Sequence, residues 1–383
     1  MEGSALFSCM RDGLRGEFAQ RQHVKKHQDN DKRIAEEQFG VSSVLQGGVA
    51  ALIGGVVMPL HVCCFGQDEV LPEHMDVRMR KSIVAMTRKA HPFIKWVGGK
   101  GQLLEQLSTL LPKDLSNEKE LVYVEPFVGG GAMLFHMLST YTNISRAVIN
   151  DMNGDLVTAY KIVRDQPKPL ILRLKGMQEK YRQCKTDDER KKYYLQERER
   201  YNGRGLSDVE VAALFIFLNR TCFNGLYRVN SKGLFNVPFG KAVNPLICDE
   251  VTILTDSALL QKVEILEGDF AGVWKNLGKR AFVYFDPPYR PLTQTSSFTA
   301  YAKNGFDDMQ QKRLAEFCRK IDGDGHRWLL SNSDPHNVNS ADMFFEEIYA
   351  GFEIHRVSAS RMINSKADGR GRITELAIRN YKE

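Results

Sequence analysis

The sequence predicts an α/β chain, an open and mostly parallel sheet interrupted by a helical insertion. Three observations predict it. Residues 281–285 (AFVYF) are an unbroken apolar run of strand length, the pattern of a strand buried on both faces. A second run, 121–124 (LVYV), passes through Glu125-Pro126-Phe127 into three glycines and an apolar helix, the strand–turn–helix unit of an open α/β sheet. Between these units the alternation stops over residues 160–245, where basic helical segments replace strands.

Composition sets the outer bounds. The 383 residues are 43% hydrophobic and 26% charged, a globular composition long enough for one large domain or two smaller ones. The net charge of +6 is unevenly spread: residues 1–85 hold 10 Lys/Arg against 11 Asp/Glu, the remainder 43 against 36. A basic remainder suits a polyanionic partner without identifying it. Seven cysteines show no CxxC pair, and the histidines no HxH or HExxH spacing. These patterns argue against a zinc site and a disulfide framework, and for a reducing cytoplasm.

The first 85 residues stand apart. Residues 1–39 are polar, with a helix expected from Arg11 to Gln38. Residues 44–65 are apolar over 22 positions, enough to cross a bilayer, but they contain Gln46, Pro59, His61 and four glycines. We read residues 1–85 as an N-terminal extension, disordered or non-native, and expect no membrane association. Met86-Thr87-Arg88-Lys89 is a natural start for the folded part.

From Pro92 the elements follow in order. Trp96, Gly98, Gly99 and Lys100 precede a helix with Leu103, Leu104, Leu107, Leu110 and Leu111 on one face. The Gly-Gly-Lys lacks the GxxxxGK[ST] spacing of a nucleotide-hydrolysing loop, which excludes that class. After LVYVEPF, Gly129-Gly130-Gly131 allow close backbone approach to a ligand, as in the first unit of a Rossmann-like sheet. The next strand ends in Ile149-Asn150-Asp151, about 20 residues on, where an acid can bond ribose hydroxyls. Asp151 also reads as the N-cap of a helix over Met152 to Val163. Together these features point to a nucleoside-containing ligand.

Residues 161–204 carry 14 Lys/Arg and 7 Asp/Glu and are largely helical in pattern. As a charge run they read equally as a solvated face. An apolar helix then ends near Asn219, and residues 220–241 mix Arg, Asn, Gly and aromatic residues in a way that suits nucleic-acid contacts. The sheet pattern resumes with VEILEGDF, AFVYFDPPY, a polar loop, and a helix from Met309 to about Ile321. RWLLSNSD, FEIHRVSAS and ITELAIRN read as three more strands, the last two pairing antiparallel at an edge across a mobile loop.

AFVYF ends in Asp286-Pro287-Pro288-Tyr289, and neither proline can donate to a ladder. An acid, a rigid turn and an aromatic ring are thus held at the carboxyl end of a central strand, where open α/β sheets build their sites. The group suits transfer to an exocyclic amine, whose lone pair is delocalised into its ring. The Asp286 carboxylate and the Pro287 carbonyl can accept both N–H bonds, and Tyr289 can stack on the base. An ordinary strand end with a Pro-Pro stop would look the same in isolation.

The segments IKWVGGK, VEPFVGGG, IND, NR…FNGLYRVN…GLFNVPFG, DPPYRPLTQTSSFTAY, SNSD and RMINS…ITEL occur in an order that resembles the DNA adenine-N6 methyltransferases of the Dam type, over roughly residues 91–381. The resemblance implies a Rossmann-like methyltransferase sheet with an inserted, mostly helical DNA-recognition domain. The catalytic domain would be 86–159 plus 246–383, and the recognition domain 160–245. It implies S-adenosyl-L-methionine as donor, a flipped adenine of double-stranded DNA as acceptor, GATC as the site, and no metal. Asp286, Pro287 and Tyr289 would be catalytic. Trp96, Lys100, Glu125, Phe127, Gly129, Asp151, Asp269 and Asp286 would hold the cofactor. Lys95, Asn224, Leu226, Arg228 and Pro238 fall on base-reading positions, and Arg220 and Lys241 on backbone contacts. A cytoplasmic, nucleoid-associated protein of bacterial or phage type is implied, with a cognate restriction endonuclease as an open partner.

This chain departs from the family pattern at its GGG loop, at Tyr227 before Arg228, and in the extension. Two other readings compete: an amino methyltransferase acting on cytosine N4 or RNA, and a non-catalytic DNA-binding protein that uses the cofactor. DPPY favours adenine over the SPP-type turn of many cytosine N4 enzymes, and an intact Asp286 and Tyr289 favour catalysis.

Overall fold

The computed structural model describes residues 50–53, 56–59, 90–96, 98–292, 306–360 and 372–382. The expected helix over Arg11–Gln38, the start at Met86–Lys89, most of the polar loop after DPPY and the loop closing at ITEL lie outside the described residues.

The chain divides into two compact units, Met1–Glu69 and Val70–Glu383. In the first, β1 (Ala50–Ile53) and β2 (Val56–Pro59) form an antiparallel hairpin inside the apolar stretch. Among the described residues no helix is long and apolar enough to cross a membrane.

The second unit is built on a seven-stranded sheet. Its strands are β3 (Leu121–Glu125), β4 (Ile144–Asp151), β5 (Val263–Glu267), β6 (Ala281–Phe285), β7 (Arg327–Ser333), β8 (Glu353–Ser360) and β9 (Arg372–Arg379), in spatial order 5-4-3-6-7-9-8. The pairs from β5 to β7 are parallel, whereas β9 runs antiparallel to both β7 and β8. The two C-terminal strands therefore pair antiparallel, as expected, and place β8 at the edge. The sheet grows outward in opposite directions from the β3–β6 pair, which makes the gap beyond their carboxyl ends a topological switch point.

Helices cover both faces. On one side lie α1 (Leu104–Thr109), α2 (Ala132–Thr140), α3 (Gly154–Asp165) and α7 (Glu250–Leu260). On the other lie α8 (Asp308–Gly323) and α9 (Phe344–Ile348). Successive β6 side chains serve opposite faces: Phe282 and Tyr284 enter one core, Ala281, Val283 and Phe285 the other. All five are buried, and full burial of each large one contributes about 1.5–3 kcal/mol. The strand that presents Asp286 is thus firmly seated.

The insertion between β4 and β5 is helical. It holds α4 (Pro167–Gln183), α5 (Asp187–Asn202) and α6 (Asp208–Thr221). Residues 212–219 of α6 are buried throughout, so α6 is the internal post around which the others pack. The α5 N-terminus is fixed by a Thr186/Glu189 capping box, a reciprocal pair of side-chain bonds to backbone amides. Part of the basic run pairs internally: Arg173 and Arg200 both reach Glu210, and Arg204 reaches Asp155.

α6 ends in a short 3₁₀ turn (Phe223–Gly225) and a hairpin. Antiparallel bridges join Cys222 to Phe239 and Val229 to Phe235. The insertion clamps this hairpin. Tyr194 donates to Val237 O at 2.8 Å, and the Asn202 amide brackets the Phe235 backbone through its Nδ2 (3.0 Å) and Oδ1 (2.8 Å).

Candidate active site

Asp286 leaves the end of β6 directly into the switch point. Lys100, only 4% exposed, donates to Asp286 Oδ1 at 2.8 Å and to Gly98 O at 2.7 Å. The same ammonium lies 4.4 Å from the Tyr289 ring centroid. Burial pushes the Asp286 carboxyl upward, and the Lys100 charge opposes that shift. Glu125, at the end of neighbouring β3, is also buried and accepts from Tyr123 Oη at 2.8 Å. Burial drives its carboxyl well above the usual range; the Tyr123 bond opposes this and the Asp286 charge adds to it.

The DPPY turn is held from behind by side chains that sequence reasoning missed. Gln311 Nε2 donates to Pro288 O at 3.0 Å. Asn332 Nδ2 donates to Gln311 Oε1 at 3.1 Å, and its Oδ1 accepts from Arg290 N at 3.2 Å. The Tyr289 hydroxyl donates to Glu375 on β9. Arg290 pairs with Asp308 and Asp342 at 2.8 and 2.7 Å. Gln311 and Asn332 are fully buried, so each amide is both donor and acceptor in a closed chain.

The glycine turn follows β3. Gly129 and Gly131 have φ of 48° and 75°, a region that side chains rarely adopt. A Cβ on Gly129 would lie 2.8 Å from the Trp96 indole, so the turn needs glycine for contact as well as conformation. Asp151 Oδ2 accepts from Gly129 N at 3.1 Å and Oδ1 from Asn153 N at 3.0 Å. Burial raises its carboxyl pKa, against those amides. Asp151 is not the helix cap: α3 begins later, and Asn153 Oδ1 accepts from Leu156 N. Asn150, quoted beside Asp151 but given no role, ties the loops after β3 and β5 to the end of β4 by donating to Pro126 O and Gly268 O.

Phe127 stacks near Phe270, with ring centroids 5.3 Å apart. Asp269 follows β5 and pairs with Arg313 at 2.6 Å, which holds its carboxyl below the usual range. The structure thus gathers Lys100, Glu125, Asp286 and Tyr289 at one point, with Gly129, Asp151 and Trp96 joined around the turn. Asp269 is committed to an ion pair of its own.

The expected DNA-facing residues lie on and beside the hairpin. Lys95 is exposed, and its backbone is tied to α6 by Asn219, which accepts from Lys95 N at 2.8 Å and donates to Lys95 O at 2.7 Å. Asn219 also donates to Gly225 O at 3.0 Å. Asn224 and Lys241 are exposed on left-handed backbone, with φ of 55° and 57°. Arg228 lies flat against the hairpin: its Nε donates to Asn236 Oδ1 at 2.7 Å and its Nη2 to Asn236 O at 3.2 Å. Pro238 is exposed and Leu226 half-buried. Arg220 turns inward, donating to Phe93 O at 2.7 Å, and burial lowers its pKa. Phe223, not singled out from the sequence, is 50% exposed beside Asn224. Among the described residues no cluster of His, Cys, Asp or Glu could hold a metal ion.

Comparison with known proteins identifies the family. The model of the D12 class N6 adenine-specific DNA methyltransferases matches residues 96–363. The type II methyltransferase M.MjaIII of Methanocaldococcus jannaschii is 46% identical over 293 residues, 76% of this chain and 99% of that protein. The type II methyltransferase M1.LlaDCHI of Lactococcus lactis subsp. cremoris is 40% identical over 295 residues, 76% of this chain and 95% of that protein. The DNA adenine methylase of Escherichia coli is 32% identical over 289 residues, 76% of this chain and 95% of that protein. With the matched region running from the tryptophan over the glycine turn to beyond the DPPY strand, the chain belongs to the D12 class of N6 adenine-specific DNA methyltransferases.

Proposed function

We propose that the chain moves a methyl group from S-adenosylmethionine to N6 of an adenine flipped out of double-stranded DNA, and that the adenine lies in GATC. The observation that carries this reading is the Lys100–Asp286–Tyr289 cluster. A half-buried acceptor and an aromatic face already hold one nitrogen between them, at 2.8 Å and 4.4 Å.

The residues present suit S-adenosylmethionine. The glycine turn brings bare backbone to the end of β3. Asp151, oriented by two amides, retains acceptor capacity for ribose hydroxyls. Lys100 and Asp286 offer opposite charges to an amino-acid end. Bound there, the cofactor would supply an electrophilic methyl group. Glu125, Phe127 and Trp96 complete the pocket in this reading, with Asp269 at its rim.

The chain's own residues do the rest. N6 of a stacked adenine is out of reach, so the base must leave the duplex. Tyr289, steadied by Glu375, stacks on it. Asp286 and the Pro287 carbonyl accept its two N–H bonds and turn the lone pair towards the methyl group. For that, Lys100 must release or share Asp286. On the DNA side, Arg228 exchanges its Asn236 contacts for guanine O6 and N7. Asn224, Leu226, Pro238 and Lys95 line the rest of the reading edge, and Phe223 offers a stacking face. Lys241 meets phosphate, and Arg220 supports the Lys95 segment through Phe93. Residues 160–245 are the recognition domain and 86–159 with 246–383 the catalytic domain in this reading.

Labelled S-adenosylmethionine and duplexes carrying GATC or its single-base variants test it. We expect N6-methyladenine, formed fastest on GATC. N4-methylcytosine as product would sink the assignment of the acceptor, and equal rates on every variant the assignment of the site.

A further inference from the structure

We infer that Tyr227 is a positioning residue that couples cofactor occupancy to base reading. The inference rests on the reading above, in which the glycine turn meets the cofactor and the hairpin meets DNA. Tyr227 sits between Leu226 and Arg228, two of the residues assigned to bases. All three side chains are half-buried, and the Tyr227 ring has aromatic neighbours on several sides. It stacks on Trp96, with centroids 5.8 Å apart and planes 22° apart. Trp96 in turn closes over the glycine turn: a Cβ on Gly129 would fall 2.8 Å from the indole, and one on Gly130 2.9 Å from the Trp96 Cβ. Glycine turn, indole and phenol thus form one continuous pile.

Two further contacts make the pile stiff. The Tyr227 ring packs against Phe215 of α6 at 5.4 Å and against Phe235 at 5.8 Å. Phe235 belongs to the opposite arm of the hairpin, where it pairs with Val229. The Tyr227 hydroxyl meets the side chains of Asn153 and Tyr201. Asn153 donates its backbone N–H to Asp151, the acid assigned to ribose. Both ends of the Tyr227 side chain therefore lead to the frame of the cofactor pocket, one through Trp96 and one through Asn153.

Close-packed groups transmit displacement because no void absorbs it. A ligand that presses on the glycine turn or fixes the Asp151 loop also fixes Tyr227. Tyr227 cannot move without the backbone of Arg228, whose carbonyl accepts from Asn236 N at 3.0 Å. Filling the cofactor pocket should then favour one placement of the Arg228 guanidinium. By linkage, DNA that uses that placement must tighten the cofactor by the same factor.

The test uses the full chain, with S-adenosylhomocysteine as the cofactor probe and a duplex carrying one GATC. Titration calorimetry gives the affinity for each ligand with and without the other. In the wild type we expect each ligand to tighten the other about ten-fold. In Tyr227→Leu that factor should fall to within about two-fold of unity, while each ligand alone binds within about three-fold of wild type. Tyr227→Phe keeps the ring and should keep most of the coupling; complete loss there would overturn the stack as carrier. Tyr227→Met replaces the leucine variant if that does not fold. A ring-less variant that retains the wild-type factor overturns the inference, whether or not its separate affinities fall. A wild type that binds both ligands without coupling also overturns it and leaves the proposed function standing. A wild type that does not bind S-adenosylhomocysteine overturns both.

Discussion

At the carboxyl end of β6, each side chain assigned to chemistry is pinned by another buried or half-buried group. On the hairpin, the side chains assigned to DNA hang from a backbone that is itself the rigid part. Asp286 has Lys100, Tyr289 has Glu375, and the Pro288 carbonyl has Gln311. The hairpin owes its shape to left-handed Asn224 and Gly225 and to the amide clamps of Asn219 and Asn202. Lys95, Asn224, Pro238 and Lys241 are exposed on the hairpin or beside it. The difference separates two kinds of sensitivity. The strand end should fail in rate on small chemical changes. The hairpin should tolerate changed tips while losing discrimination.

The largest effect tests the strand end. Asp286→Ala should lower the single-turnover rate by about 10²–10⁴-fold and weaken donor binding as well. Because burial raises the Asp286 pKa, the wild-type rate should fall as pH drops, beginning above the range of an ordinary exposed carboxylate. A rate near normal in the variant would remove DPPY from the chemistry and erase the contrast with the hairpin. Tyr289→Ala, which removes only the stacking face, should cost about 1–3 kcal/mol, read as a slower chemical step at unchanged donor affinity.

Arg228→Ala sharpens the other side. It should cost about 1–3 kcal/mol at one guanine and relax discrimination there, because a guanidinium donates two parallel hydrogen bonds that no other side chain supplies in that geometry. Rates on GATC and on each single-base variant measure this. An equal loss on every sequence would make Arg228 a phosphate contact. Lys241→Ala should weaken all duplexes alike and lower the salt slope by about one unit.

The smallest effect separates burial from chemistry. Asp256 on α7 is fully buried, and a backbone bond from His91 only partly offsets that burial. Burial pushes its pKa well above the ordinary value. A raised folded-state pKa stabilises fully below the unfolded value of about 3.9, and that stability is lost as pH rises through the folded pKa. Asp256→Asn removes this loss and should gain about 1–3 kcal/mol on the wild type between acid and neutral pH, with methylation unchanged. Denaturant melts at both pH values decide it; parallel curves would mean that the acid is solvated in the native state.

The strand end was legible because its cues are local. An apolar run of strand length, a proline stop and a glycine turn each declare themselves within about ten residues. Spacing singles out Asp151 but does not give its bonding: the cap two residues later belongs to Asn153. Gln311, Asn332 and Glu375 act across 23, 42 and 86 residues of chain, and only the closed sheet brings them to the turn. Arg220 shows the same limit from the other side. Its assignment to a backbone contact comes from the family resemblance, and the bond it donates to Phe93 O from the last turn of α6 has no signal in the sequence.

The place of β9 in the sheet bears on how such an activity comes into being. β9 lies inside the sheet, between β7 and β8, and carries the carboxylate that steadies Tyr289. It is also later in the chain than Lys100, Glu125, Asp286 and Tyr289. A nascent polypeptide emerging from the ribosome would therefore hold its glycine turn and DPPY strand for some time with the sheet unsealed and Tyr289 unsupported. Competence would arrive late in synthesis and in one step, so that a prematurely terminated product lacking β9 would have no steadied ring to offer a base.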